Sequence, residues 1–421
     1  MKTQLTTLPG GLRVATCEMP HAETAAVGIW AGVGGRHESS KLNGISHFIE
    51  HMLFKGTKKR SARRIMEEVE GVGGDMNAYT SEERTCYYAT AAAEYFPRIC
   101  DVLCDLYVNP RFSQLDIDRE RSVIGEEILM YRDEPSAHVQ ELLNESFWPS
   151  HPLGRPLTGT LSKIESFTRE DFMRYRETHY HAKSTVLSAA GKIRHEDVVE
   201  FAVRKLADLP RGRSVKMIPA PGFPKGLQIV VEKRETQQTQ VALAFPGPSH
   251  HEDSRFAFQL LHIILGGNAS SRLFQQLREK RGLCYSVSTH PSFFEDTGSM
   301  NCSLGLDQRN LEKSLRLILT EITRLQTQLV GPAELRRAKE YSIGTSRMSL
   351  ERSSSQNMRA GSSVLAYGRI VPPDEVHERL RRVTAEEVQE AAKIFLNPHA
   401  AALAVIGPSP DAHAIQTIFS V

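Results

Sequence analysis

The sequence predicts an α+β fold of two homologous domains, each a mainly antiparallel sheet covered by helices on one side. Strand-like stretches occur in groups with hairpin-like connections and are flanked by helical stretches, which is typical of this class. The chain has 421 residues, enough for two domains that each bury a core. A segment rich in proline and glycine lies near its middle, and similar elements occur on both sides of it.

The order of elements in the first half is repeated in the second. The first half contains strand-like LRVATCEM and TAAVGIWAGVG, a helix with HFIEH, a helix around SARRIMEEVEGVGG and strand-like NAYTSEERTCYYATA. The second half contains LQIVVEKR, TQVALAFPGP, FAFQLLHIILGG, SSRLFQQLREKRG and LCYSVSTHP in the same order. Agreement over this many elements favours duplication. The prolines and glycines indicate a linker at 213–225, between domains at 1–212 and 226–421.

Composition and charge narrow the function classes. The formal net charge is +2, which argues against the basic stripe of a nucleic-acid-binding protein. The basic run at 55–64 is expected to be a solvated face. No apolar run is long enough to span a bilayer, and the first residues lack the apolar core of a signal peptide. We therefore expect a cytoplasmic protein without nucleic-acid or membrane partners.

The segment GISHFIEHMLFKGT predicts an amphipathic helix with a chemically active polar face. His47 and His51 are four residues apart, so their side chains lie one turn apart on the same face. Glu50 points to nearly the same side. The apolar face is expected to pack in a core, and its residues are Ile45, Phe48, Ile49, Met52 and Leu53.

This group of side chains suits metal-dependent hydrolysis. Two imidazoles at this separation can bind one zinc ion, and a carboxylate beside them can accept a proton from water. The order H-x-x-E-H is the inverse of the zinc-hydrolase signature H-E-x-x-H. Histidines four residues apart also occur on ordinary helix surfaces, so a third ligand decides between a zinc site and a surface pair.

The helical stretch LDIDRERSVIGEEILMYRDEP offers Glu120, Glu126 and Glu127 as acidic candidates for that ligand. Seven residues are close to two helical turns, so Glu120 and Glu127 share a face. Such a pair suits one metal ligand and one carboxylate that orients a histidine ring. Spacing alone leaves all three residues open.

HFIEH, GGDMNAYTSEERTCYY and ERSVIGEEILM together resemble the pitrilysin/insulinase family of zinc peptidases. The resemblance covers essentially the whole chain and is closest to the half-length branch. That branch includes bacterial processing proteases and the beta subunit of the mitochondrial processing peptidase. It implies that zinc is bound by His47, His51 and Glu127, that Glu120 supports the site, and that Glu50 is the catalytic base.

The second half lacks a matching ligand set. At the positions that correspond to the two histidines and the base, it has Phe258, Leu261 and His262. We therefore expect one zinc ion per chain.

The resemblance also implies how a peptide is held. Asn77 and Ala78 would line an extended peptide that adds to an edge strand beside the zinc. Arg278 and Tyr285, seven residues apart in the second half, would contact the substrate and help stabilise the oxyanion. Half-length relatives resemble one half of a longer clamshell, so a homodimer with two composite sites is expected. A heterodimer with an inactive paralogue is the alternative assembly.

The predicted function is that of a zinc-dependent endopeptidase, which hydrolyses peptides or unfolded segments bound in extended form in a clamshell chamber. The alternative is a non-catalytic scaffold or assembly subunit of the same fold. Such relatives typically lose part of the zinc motif, whereas this chain has His47, Glu50, His51 and Glu127. The sequence therefore favours the enzyme.

Overall fold

The structure, a computed structural model, describes residues 1–212 and 217–420. They form two compact units: unit 1 comprises Met1–Ile128, Pro156–Ile218 and Ser346–Pro372, and unit 2 comprises Leu129–Arg155, Pro219–Thr345 and Pro373–Val421. Each unit thus contains a segment from the other half of the chain, unlike the contiguous domains predicted at 1–212 and 226–421. The first four residues of the predicted linker, 213–216, lie outside the described residues.

Unit 1 is built on a six-stranded sheet. Its strands are β1 (Lys2–Thr7), β2 (Arg13–Glu18), β3 (Thr24–Ala31), β4 (Asp75–Thr80), β5 (Thr85–Ala92) and β6 (Thr185–Gly191). Across the sheet they follow the order β1-β2-β6-β3-β5-β4, so β1 and β4 are its edges. Only the β2–β6 pair among these strands is parallel.

Unit 2 is built on a five-stranded sheet. Its strands are β7 (Gln228–Lys233), β8 (Thr239–Gly247), β9 (Cys284–Phe293), β10 (Gly298–Leu306) and β11 (Ala402–Gly407). They follow the order β7-β11-β8-β10-β9, with β7 and β11 parallel and the other pairs antiparallel. Apart from β1, this order matches the unit 1 sheet strand by strand. The structure therefore confirms the α+β class with two homologous domains.

Helices cover both sheets. They are α1 (Ile45–Leu53), α2 (Ala62–Glu70), α3 (Phe96–Val108), α4 (Gln114–Asp133), α5 (Pro135–Phe147), α6 (Leu161–Ser166), α7 (Arg169–His179), α8 (His195–Leu206), α9 (Ser254–Leu265), α10 (Leu311–Thr327), α11 (Pro332–Ser349), α12 (Ser353–Tyr367), α13 (Pro373–Arg382), α14 (Ala385–Phe395) and α15 (Ala412–Phe419). None of these helices is both long enough and apolar enough to cross a membrane.

One face of the unit 1 sheet carries the main core. Side chains alternate along β3, which directs Val27 and Ile29 to this face. They join Phe48 and Ile49 of α1 in one buried cluster, together with apolar residues of α3. The apolar face predicted for the HFIEH helix is therefore the face that attaches α1 to the sheet.

The opposite face of this sheet is covered by α12, which comes from the second half of the chain. Trp30 of β3 and Val186 of β6 form a second buried cluster with Ala360 and Val364 of α12. The prediction of helices on one side only was wrong. The apolar residues of α12 show that it packs on a sheet, but no local pattern shows on which sheet.

Unit 2 has the converse arrangement. Helix α5, from the first half of the chain, covers the second face of the unit 2 sheet with Val139, Leu143 and Phe147. The strands meet it with small side chains, among them Ala242 and Ala404. Small side chains project only a short distance from the sheet, so a helix can pack close to the strand backbone. The two halves of the chain thus exchange one helix each.

α12 lies so close to the unit 1 sheet that Gly361 has no room for a side chain. A Cβ at this position would lie 1.9 Å from Nε1 of Trp30. The same indole N–H donates to Ser188 Oγ at 2.7 Å, and this hydroxyl donates to Asn357 Oδ1 at 2.7 Å. A buried hydrogen-bond network and a close helix–sheet contact therefore depend on the same glycine.

Gly361→Ala is expected to lower the free energy of unfolding by about 1–3 kcal/mol, because the new methyl group displaces the Trp30 indole and weakens its bond to Ser188. Urea unfolding followed by tryptophan fluorescence measures the change.

Gly344→Ala is the matched control. Gly344 lies in α11, and a Cβ at this position would have no atom of the described residues within 4 Å apart from its chain neighbours and the backbone of its own helix. The higher helix propensity of alanine is expected to raise the free energy of unfolding by up to about 1 kcal/mol. If both substitutions stabilised the protein equally, α12 would not pack as described.

Candidate metal centre

Helix α1 is fixed by its apolar face and by a buried carboxylate at its start. Glu38 accepts hydrogen bonds from the backbone N–H groups of Gly44 at 2.7 Å and Ser46 at 2.8 Å. These donors have no partner within the first turn of a helix, so the carboxylate satisfies them. At most 1% of each apolar side chain is exposed at Ile45, Phe48, Ile49, Met52 and Leu53. The face with His47 and His51 is consequently held in one orientation.

Helix α4 presents its carboxylates to this face. Ile117, Glu120 and Ile124 are its buried residues, at helical spacing. Glu127 lies two turns after Glu120 and is half-buried, whereas Glu126 is exposed to solvent. The structure therefore separates the three acidic candidates that spacing left open, because only Glu120 and Glu127 lie on the packed side of α4.

The side chains of His47, His51 and Glu127 converge. Nε2 of His47 lies 3.7 Å from Oε1 of Glu127, and Nε2 of His51 lies 3.5 Å from Oε2. One nitrogen or oxygen atom from each residue lies within 4.8 Å of the other two. Zinc bonds of about 2.0–2.2 Å place the ligand atoms of a tetrahedral ion about 3.3–3.6 Å apart. The group therefore has nearly the dimensions of a zinc site.

Glu120 holds the ring of His51 in the orientation that a metal ligand needs. Nδ1 of His51 lies 2.9 Å from Oε1 of Glu120, and Nζ of Lys55 lies 2.7 Å from Oε2. Burial alone raises the pKa of Glu120, but these two partners bring it below its ordinary value. The resulting carboxylate accepts the Nδ1 proton, which leaves the Nε2 lone pair directed at Glu127.

His47 is kept uncharged by its surroundings. Burial, together with the neighbouring ring of His51, lowers the pKa of His47 to about 3. A metal ligand must be the neutral imidazole, since protonation removes the lone pair. Two imidazole nitrogens and one carboxylate form a donor set that fits zinc.

Glu50 lies beside this group and is held by a second element. Oε2 of Glu50 accepts a hydrogen bond of 2.6 Å from the hydroxyl of Thr80, at the end of β4. Burial raises the pKa of Glu50 above its ordinary value, and the Thr80 bond opposes part of that rise. A raised pKa suits a carboxylate that takes up a proton and later releases it.

Strand β4 also carries Asn77 and Ala78, which the resemblance implies as substrate contacts. β4 pairs with β5 and forms one edge of the sheet. Asn77 is exposed, and its side-chain oxygen accepts a hydrogen bond of 2.8 Å from the N–H of Ala78. Because Thr80 of the same strand contacts Glu50, this sheet edge runs next to the candidate metal centre.

Arg278 and Tyr285 belong to unit 2 and lie close to each other. The guanidinium carbon of Arg278 lies 5.5 Å from the centre of the Tyr285 ring and 4.7 Å from that of Phe274. Tyr285, near the start of β9, is 74% exposed. The two residues therefore form a cation–aromatic pair with an accessible phenol.

Sequence reasoning missed Lys55 and Thr80. Lys55 belongs to the basic run 55–64, for which a solvated face was predicted. That prediction was wrong for Lys55 and for Arg60, whose guanidinium lies 2.5 Å from Asp101 and 2.8 Å from Asp105 of α3. The acidic partners are distant in sequence, so only the fold shows these pairs.

Comparison with known families gives two matches that together cover most of the chain. Residues 13–161 match the family described as Insulinase (Peptidase family M16), and residues 166–341 match the Peptidase M16 inactive domain. The first match contains every residue of the candidate metal centre. The second contains Phe258 and Leu261, which stand at the ligand and base positions of the second half.

Relatives and structures agree with these matches. An uncharacterized zinc protease of Streptomyces coelicolor is 36% identical, over 97% of this chain and 90% of its own. The uncharacterized zinc protease YmxG of Bacillus subtilis is 34% identical, over 96% of this chain and 98% of its own. A crystal structure of a peptidase M16 inactive domain from Pseudomonas fluorescens has the same fold, with a TM-score of 0.91, 19% identity and coverage of 97% and 99%. The resemblance is confirmed, and the chain belongs to the insulinase family of peptidases, family M16.

Proposed function

We propose that this protein is a zinc metalloendopeptidase that hydrolyses peptides or unfolded segments bound in extended form. The observation that carries the proposal is the convergence of His47, His51 and Glu127, with the carboxylate of Glu50 on the same helix face. Relatives named as zinc proteases support the same activity. A scaffold without catalysis has no need for two imidazoles and a carboxylate at ligand distances beside a largely buried base.

Two imidazole nitrogens and the Glu127 carboxylate would hold the ion, one per chain at this centre. When bound, zinc supplies a Lewis acid that activates water and polarises a peptide carbonyl. Glu120 keeps the Nδ1 proton of His51 in place, with Lys55 stabilising the charge of Glu120. The geometry thus supports a centre whose ligands are oriented before the ion arrives.

Glu50 is the proposed general base and acid. It accepts a proton from the attacking water and then delivers that proton to the nitrogen of the leaving amine. Its bond to Thr80 leaves Oε1 for this exchange and fixes the carboxylate next to α1. Because the pKa of Glu50 is raised, its carboxyl group holds the proton more readily between these two transfers than an ordinary glutamate would.

An extended peptide is proposed to add to β4 as a further strand. An edge strand has backbone N–H and C=O groups directed away from its sheet, and these pair with a peptide backbone of almost any sequence. Asn77 and Ala78 would form this contact, three and two residues before Thr80. Backbone pairing predicts broad sequence tolerance and a requirement for unfolded substrate.

Arg278 and Tyr285 are proposed to contact the substrate and stabilise the developing oxyanion. We propose a homodimer with two composite sites that enclose the peptide in a clamshell chamber, and a heterodimer with an inactive paralogue is the alternative. The support is the family resemblance, together with the exposed phenol of Tyr285 and the adjacent guanidinium of Arg278.

Glu50→Gln is expected to reduce cleavage of a quenched fluorescent peptide by about 10²–10⁴-fold, because the amide cannot accept the proton. Zinc content should stay unchanged, since Glu50 is not a proposed ligand. Glu126→Gln is the control, because it removes an exposed carboxylate beside Glu127. Near wild-type cleavage by Glu50→Gln would rule out its role as base. A wild-type protein that binds zinc without cleaving peptides would favour the scaffold.

Glu120→Gln is expected to weaken zinc binding by about 10–100-fold, because a neutral amide orients the His51 ring less firmly. Competition with a zinc-sensitive dye measures the dissociation constant. Asp118→Asn, an exposed carboxylate on the same helix, should leave that constant unchanged. An unaltered zinc affinity in Glu120→Gln would show that Glu120 does not support the site.

A mixing experiment tests the composite site. Glu50→Gln and Arg278→Ala proteins are each expected to be poorly active, and co-refolding them should restore about a quarter of wild-type activity, since half of the dimers then contain one intact site. Arg281→Ala, at an exposed arginine nearby, is the control. No recovery above the separate variants, or a monomeric active enzyme in light scattering, would contradict the homodimer.

A further inference from the structure

A second group of potential metal ligands lies in unit 2, outside the centre described above. His250 and His251 follow β8, and Glu295 lies in the turn that joins β9 to β10. Suitable ligand atoms of these three residues all lie within 4.8 Å of one another, as they do for His47, His51 and Glu127.

The two groups have the same internal arrangement. Nε2 of His250 lies 3.2 Å from Oε2 of Glu295, and Nε2 of His251 lies 3.1 Å from Oε1. Each carboxylate oxygen therefore faces one imidazole nitrogen, as in the first group. The two ring centres are 4.2 Å apart in this group and 4.6 Å apart in the first. Two adjacent loop residues thus place their imidazole rings at nearly the same separation as two residues one turn apart on α1.

Backbone contacts hold the two segments together. The N–H of His250 donates to the carbonyl of Phe294 at 2.9 Å, and the N–H of Phe294 donates to Thr297 at 2.9 Å, which closes the β9–β10 turn. The loop approaches so closely that a Cβ at Gly298 would lie 2.2 Å from the carbonyl oxygen of Pro248. The backbone segments that carry the three side chains are therefore held next to each other by the fold.

One side of the group is exposed to solvent. The side chain of His250 is 9% exposed and its Nε2 is shielded from water, while His251 and Glu295 are each 45% exposed. Three protein ligands with one side toward solvent leave a fourth position for water. Imidazole and carboxylate donors at N···O separations near 3.2 Å are close to the roughly 3.3 Å of a tetrahedral zinc ion.

We propose that His250, His251 and Glu295 form a second zinc site, which joins the segment after β8 to the β9–β10 turn. In this structure each Nε2 atom lies within 3.2 Å of a Glu295 oxygen, and zinc would take these nitrogen and oxygen atoms as ligands. The site would raise the zinc content above the one ion per chain that the sequence predicts. Its role is to stabilise this end of the β9–β10 hairpin, independently of peptide cleavage.

Zinc stoichiometry of the full chain tests the proposal. Chelator-treated protein is dialysed against zinc buffered at a micromolar free concentration, and bound metal is counted by mass spectrometry. Wild type is expected to bind about two zinc ions per chain, and Glu295→Gln and His250→Asn about one each. His51→Ala should also bind about one, and His51→Ala combined with Glu295→Gln close to none. His399→Ala, which removes an exposed histidine elsewhere in unit 2, should bind about two.

The outcomes separate this proposal from the proposed function. One zinc ion in wild type that persists in Glu295→Gln and is lost in His51→Ala would overturn the second site and leave the first intact. Two ions in both Glu295→Gln and His250→Asn would also overturn it. Circular dichroism without zinc verifies that the variants fold. In the His51→Ala background, added zinc should raise the melting temperature, and this rise should disappear when Glu295→Gln is added.

Discussion

The burial of one face of α1 is the constraint on which the candidate metal centre depends. Phe48 and Ile49 are held in the core of unit 1, so His47, Glu50 and His51 cannot rotate away from α4 and β4. Neighbouring elements then fix each polar group: Glu120 orients His51, Thr80 binds Glu50, and Glu38 satisfies the first turn of the helix. Apolar packing supplies the rigidity, and hydrogen bonds select the rotamers.

Helix α9, the counterpart of α1 in the second half, lacks the ligand set of α1. In α9, Phe258 occupies the first ligand position and is fully buried. His262 remains, but its Nδ1 lies 2.9 Å from the hydroxyl of Thr289 in β9, and burial lowers its pKa to about 4. That histidine is a neutral side chain that bonds to its own sheet. Helices α1 and α9 pack on sheets with the same strand order apart from β1 but carry different side chains at the ligand positions. The fold therefore permits a metal centre at this helix without requiring one.

Much of the fold and of the first site could be predicted because their signals are local or repeated. Apolar spacing in α1, the matching order of strands in both halves and the seven-residue spacing of Glu120 and Glu127 all lie within short segments. The exchanged helices α5 and α12 could not be assigned, since an apolar helix face does not identify its sheet. Lys55, Thr80 and the pairing of Glu295 with two adjacent histidines depend on contacts between segments far apart in the chain. Such contacts have no signature in a single sequence.

We propose that zinc is bound by His47, His51 and Glu127. The most direct measurement is anomalous X-ray scattering recorded on both sides of the zinc absorption edge from crystals grown with zinc. A zinc ion at this centre should give a peak about 2.0–2.2 Å from both Nε2 atoms and from the Glu127 carboxylate. Fully occupied zinc elsewhere in the crystal, with no peak between these three side chains, would contradict it.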